Sequence, residues 1–128
     1  MQYILEDKTP VLCEDLIAWD KFMSTESRRV KATVTKNGWI STVFLGLDHN
    51  LSVEGEPLLF ETMIFYGPLN MYMQRCSTWD EAEIQHEVVR RKCLRLKLRR
   101  KVRKEIKLQI RGTWCSAFQL KERVCLLY

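Results

Sequence analysis

The chain has 128 residues, enough for one domain with a single modest core and not for two. Apolar residues make up 46% and charged residues 29%, an ordinary soluble globular balance, and no apolar run approaches the ~18 residues of a membrane span. The net charge of +5 hides a division: residues 1–89 carry 7 Lys/Arg against 14 Asp/Glu, and residues 90–128 carry 14 against 2, so −7 and +12 make up the total.

In chain order, Gln2–Glu6 suits a short strand stopped by Lys8-Thr9-Pro10, and the N-terminus lacks the basic and long apolar regions of a secretory signal. Val11, Leu12, Asp15, Leu16, Trp19 and Phe22 recur at three or four and predict a short helix. From Arg29 the period is two, with Val30, Ala32 and Val34 alternating with polar neighbours up to Lys36-Asn37-Gly38. Asn-Gly between alternating runs predicts a hairpin. The return strand, Trp39–Leu47, is apolar on both faces and therefore central. A loop at Asp48–Pro57, a third strand at Leu58–Tyr66, a turn at Gly67–Asn70 and a fourth strand at Met71–Cys76 follow.

Thr78 stands three residues before Glu81, the spacing of a capping box, and marks a helix start. Ala82, His86, Val89, Cys93 and Leu96 are spaced 4, 3, 4 and 3 and line one helical stripe. Beyond Lys97 the apolar positions fit a helix or alternating strands equally well, and Thr113–Tyr128 reads as a terminal strand. Five cysteines (Cys13, Cys76, Cys93, Cys115, Cys125) show no Cys-x-x-Cys pair and read as reduced thiols in a cytosol.

Three phrases occur in order: "RRVKATVTKNGWISTVFLGLDHN", "PLLFETMIF" and "RCSTWDEAEIQHEVVRR". Together they resemble a family of small uncharacterised proteins of phages, prophages and bacteria. The matching residues are Arg29, Val30, Thr33 and Val34; Ile40 to His49; Leu58 to Phe65; and Cys76 to His86. Cys76 departs from the family pattern, and Leu51–Gly55 lacks its glycine-rich character. The resemblance covers about residues 28–92 and implies a mobile-element setting, without an activity. It does not extend to the basic end.

Two sets of residues are candidates for function. Asp48, His49, Glu61 and His86 are the one chemical cluster on offer, as ligands of a divalent metal or as an acid–base pair. Their structural roles would be a turn cap for Asp48, a pair with Arg75 for Glu61 and a place in the helical core stripe for His86. The second set is the cationic run Arg90, Arg91, Lys92, Arg95, Lys97, Arg99, Arg100, Lys101, Arg103, Lys104, Lys107 and Arg111, with Glu105 its one acid. Such a surface binds polyanions with steep salt dependence, or pairs with an acidic protein surface.

The sequence therefore predicts a small α+β domain: a mainly antiparallel sheet of about four strands on one long helix. It divides into an acidic body over 1–92 and a basic C-terminal extension over 93–128. Trp19, Phe22, Val43, Leu45, Phe60, Ile64, Ala82 and Val89 are the expected core. The expected function is non-enzymatic: stoichiometric binding to a host protein or ribonucleoprotein in the bacterial cytoplasm, inhibiting a nucleic-acid-guided defence complex. No cofactor and no membrane are expected, and acidic and basic halves favour self-association. Direct DNA or RNA binding through Arg90–Arg111 is the first alternative. A small metal-dependent or acid–base enzyme using His49 and His86 is the second.

Overall fold

The computed structural model describes residues 1–96. In chain order the elements are β1 (Tyr3–Glu6), β2 (Thr9–Leu12), α1 (Leu16–Met23), a 3-10 turn (Glu26–Arg28), β3 (Arg29–Thr35), β4 (Gly38–Phe44), β5 (Phe60–Phe65), β6 (Met73–Cys76) and α2 (Trp79–Leu94). β3 to β6 form an antiparallel sheet in the order β3-β4-β5-β6, with α2 across it, and β1 and β2 form a separate hairpin. This is the α+β arrangement that the sequence predicts. α2 ends at Leu94, so the expected stripe stops at Cys93, one stripe position short of Leu96. The expectations for the basic segment from Lys97 onward, and for a strand at Thr113–Tyr128, lie outside the described residues.

The N-terminus departs from expectation. Val11 and Leu12 belong to β2, not to a helix. Asp7 and Lys8 both have positive φ, +45° and +68°, and form a two-residue turn that sets Glu6 opposite Thr9. This is the primed turn that matches the twist of a hairpin. Pro10 is accommodated opposite Leu5 because a two-stranded sheet leaves each strand an open side. The helix begins only after Asp15, whose carboxylate accepts from the backbone N–H of Ile17 at 2.9 Å and of Ala18 at 3.3 Å.

Lys8 carries the left-handed φ without glycine's freedom, at a cost of roughly 1–2 kcal/mol. Its ammonium lies 5.3 Å from the Trp79 ring centroid, which returns about 0.5–1 kcal/mol. Glycine removes the left-handed strain but loses the ring contact and adds roughly 0.5–1 kcal/mol of conformational entropy cost. Lys8→Gly is accordingly expected to leave stability within about 0.5 kcal/mol of wild type, read as a Tm shift of no more than roughly 4 °C.

β4 is central and every one of its residues is buried. Its even-numbered residues, Ile40, Thr42 and Phe44, face α2 together with Phe60, Thr62 and Ile64 of β5. Apolar packing falls into two clusters. Ile40 and Ile64 meet Val89 and Cys93 at one end, and Phe44, Leu59 and Phe60 meet Ala82 at the other. Phe22 lies edge-on to Phe44 with centroids 6.0 Å apart. Of the expected core, Val43, Leu45, Phe60, Ile64, Ala82 and Val89 are buried, whereas Trp19 and Phe22 are half-buried at the rim.

The hairpin between β3 and β4 is present, but its turn residues are Lys36 and Asn37, neither with positive φ. Gly38 opens β4, where an added Cβ would come within 2.8 Å of the Tyr66 carbonyl oxygen. Asn37 is fully buried. Its side-chain Nδ2 donates to the carbonyls of Cys93 at 2.5 Å and Leu96 at 3.0 Å, satisfying two acceptors at the C-terminus of α2. At the other end the capping box is formed: Thr78 Oγ1 accepts from the N–H of Glu81, and the Glu81 carboxylate accepts from the N–H groups of Ser77 and Thr78. Those backbone donors hold the Glu81 carboxyl below its ordinary pKa.

Candidate functional site

His86 sits where the stripe spacing puts it, on the buried face of α2 between Ala82 and Val89. Both ring nitrogens have partners. Nε2 lies 2.8 Å from Thr33 Oγ1, Nδ1 lies 2.7 Å from Thr42 Oγ1, and Thr42 in turn bonds Thr62 Oγ1 at 2.8 Å. The chain of hydroxyls and imidazole forms a polar layer between the two apolar clusters. Burial, and next the charge of Lys31, push the imidazole pKa down to about 4; Glu87 opposes this and Arg90 adds to it. At neutral pH the ring is therefore uncharged, donating through one nitrogen and accepting through the other.

The other three members of the sequence-derived cluster lie elsewhere. Glu61 is opposite Val43 on β4 and Arg75 on β6, so it points to the sheet face away from α2. It is buried, and one of its oxygens accepts from Arg75 at 3.2 Å. Asp48 closes the loop after β4, accepting through Oδ1 from the N–H of Asn50 at 2.8 Å and of Leu58 at 3.0 Å. His49 is half-buried, with Nδ1 2.9 Å from the Leu47 carbonyl. Strand alternation thus separates Glu61 from His86, and the four residues do not assemble into a site. Among the described residues no group of three or more His, Cys, Asp or Glu is placed to hold a metal.

Sequence reading did not anticipate the threonines that hold His86. A signal exists: Thr42 and Thr62 each stand in phase with buried apolar neighbours, Ile40 and Phe44 or Phe60 and Ile64. A hydroxyl at a core position needs a partner, and the one polar member of the helical stripe supplies it.

Of the cationic run, Arg90, Arg91, Lys92 and Arg95 are described, and the remaining eight residues, Lys97 to Arg111, lie outside. Glu87 binds Arg90 in a fork, with Nε at 2.9 Å and Nη2 at 2.6 Å, and Arg91 Nε at 3.2 Å. The hydrogen bonds from Arg90, its charge, and then Arg91 lower the Glu87 pKa to about 2. Lys92 Nζ lies 4.2 Å from the Tyr72 ring centroid. Arg91, Lys92 and Arg95 are exposed in the last turn of α2 and at its cap. They suit the negative end of the helix dipole.

A second surface adjoins β6. A groove of about 590 Å³ lies between β6 and α2, with Leu58, Cys76, Ile84 and Val88 among its lining. The Cys76 thiol is pushed up to about 11 by burial and then by the Glu81 charge, so it stays protonated at neutral pH and is a poor nucleophile. Cys13, Cys76 and Cys93 carry free thiols. None of the described helices is long and apolar enough to cross a membrane. No protein-family model, curated protein or solved structure matches the chain.

Proposed function

We propose that the protein is a non-enzymatic accessory factor of phage or mobile-element origin that binds a host protein or ribonucleoprotein stoichiometrically. The basic surface at the C-terminal end of α2 is its contact. The observation that carries this reading is the exposure of Arg91, Lys92 and Arg95 in the final turn and cap of α2, just before the sequence continues into Lys97–Arg111. The base of the cationic run thus stands on a helix packed against the sheet. The origin rests on the resemblance of residues 28–92 to phage and prophage proteins. A ribonucleoprotein of a nucleic-acid-guided defence system offers the phosphate or acidic surface that such a run recognises.

The test is affinity capture from a bacterial lysate. Wild-type protein is expected to retain one partner at fixed stoichiometry. A variant with Arg91, Arg95, Arg99, Arg100, Lys101 and Arg103 changed to Glu is expected to bind at least about tenfold more weakly, with its circular dichroism unchanged. A mobility shift on naked duplex or single strands at low salt, steeply weakened by added salt and without any protein partner, would assign direct nucleic-acid binding instead. Turnover of a small molecule that survives the charge reversal would overturn the proposal.

A further inference from the structure

We infer that the outer edge of β6, with the groove between β6 and α2, accepts an extended peptide segment of a partner protein as an added strand. β6 is the last strand in the order β3-β4-β5-β6. Ile64 N–H bonds the Tyr72 carbonyl and Met71 N–H bonds the Ile64 carbonyl, so within β5 the even residues turn toward β6. Leu59, just before the strand, breaks the alternation, with its N–H on the Cys76 carbonyl and its carbonyl on Leu45 N–H. By the same alternation, Tyr72, Gln74 and Cys76 face β5, and Met73 and Arg75 turn their N–H and C=O groups outward. No described strand pairs with that edge, which presents a row of donors and acceptors to an incoming chain.

Independent features beside the edge point to the same occupant. Ile84 and Val88 of α2 are 66% and 55% exposed beside the groove, and Met73, on the opposite face of the strand, is 42% exposed. Ile84 and Val88 form an apolar wall to the groove, with Leu58 and Cys76 also lining it. Charge sets the direction. Glu81 stands at the Cys76 end, and Lys92, over Tyr72, at the Met73 end. A peptide antiparallel to β6 places its N-terminal end near Glu81 and its C-terminal end near Lys92. The fitting segment is therefore about five to seven residues long, basic at its start, acidic at its end, and apolar at alternate positions between. Backbone pairing supplies affinity and the alternate side chains supply selectivity. This surface adjoins the basic contact proposed above and shares Lys92 with it, whereas Arg91 and Arg95 take no part in it.

The test uses the full chain panned against a random linear heptapeptide library, with Val88→Lys as the counter-target. Val88 is exposed, so the substitution is expected to leave the melting temperature within about 1–2 °C of wild type. Met73→Lys, on the opposite face of the same edge, serves as a second variant, met by the added strand's side chains that point away from α2. Enriched peptides are expected to alternate apolar and polar residues, to lose about tenfold or more in affinity against Val88→Lys, and to slow amide hydrogen exchange at Met73 and Arg75. No enrichment, or peptides that bind both variants as well as wild type, would overturn the proposal. So would concentration-dependent protection of Met73 and Arg75 without peptide, which assigns the edge to a second copy of the chain.

Discussion

His86→Ala is expected to lower the unfolding free energy at pH 7 by about 3 kcal/mol or more, and the deficit is expected to shrink as the pH is lowered. The first part follows from the polar layer. Removing the ring empties a fully buried position and leaves Thr33 Oγ1 without its imidazole partner, while Thr42 keeps only Thr62. A buried hydroxyl without a partner costs about 1–3 kcal/mol, and the cavity adds to it. The second part is linkage. The imidazole titrates near 6.5 when unfolded and near 4 in the fold, so between those values the unfolded chain binds the proton and the native chain resists it. His86 therefore contributes fully above about pH 6.5, and that contribution falls away as the pH drops toward 4. Over pH 7 to 4.5 the wild type is expected to lose on the order of 2 kcal/mol that the variant does not. Glu81 and Glu87 also weaken the fold in acid, but they are common to both proteins and cancel in the difference. Urea unfolding of the two proteins at pH 7 and 4.5 measures it; parallel losses would remove the buried neutral imidazole from the account.

The second large effect is expected at Asn37. Asn37→Ala removes both donors from the carbonyls of Cys93 and Leu96 and leaves a small buried void, a loss of about 2 kcal/mol. Asn37→Asp is expected to cost more, about 3 kcal/mol or above. It replaces a donor by an anion against carbonyl oxygens at the negative end of the helix dipole. Both variants are expected to speed amide exchange over residues 90–95 before the rest of α2. If Asp were tolerated as well as Asn, the side-chain tie would not be holding the helix end.

Much of the fold was legible because local signals agreed. Alternation from Arg29, both-sided burial in Trp39–Phe44, and the Thr78/Glu81 box with the Ala82–Cys93 stripe each had one geometric solution. The N-terminal hairpin was not legible, since Asp7-Lys8 lacks the glycine that advertises a primed turn and Pro10 reads as a stop. Asn37-Gly38 did announce a hairpin, but for reasons the dipeptide conceals: the amide reaches a helix 56 residues later in the chain, and the glycine makes room for Tyr66. The candidate cluster failed on parity. Sequence proximity of Asp48, His49 and Glu61 says nothing about which side of a sheet each takes, and Glu61 falls one residue out of phase with Thr62, the hydroxyl that joins the His86 chain.

The tie from Asn37 has a mechanical consequence. The C-terminal end of α2 is fastened to the tip of the β3–β4 hairpin. Opening that turn of helix has to break the bonds of a buried amide in the hairpin as well as the helix's own, so the end of α2 and the hairpin tip open together.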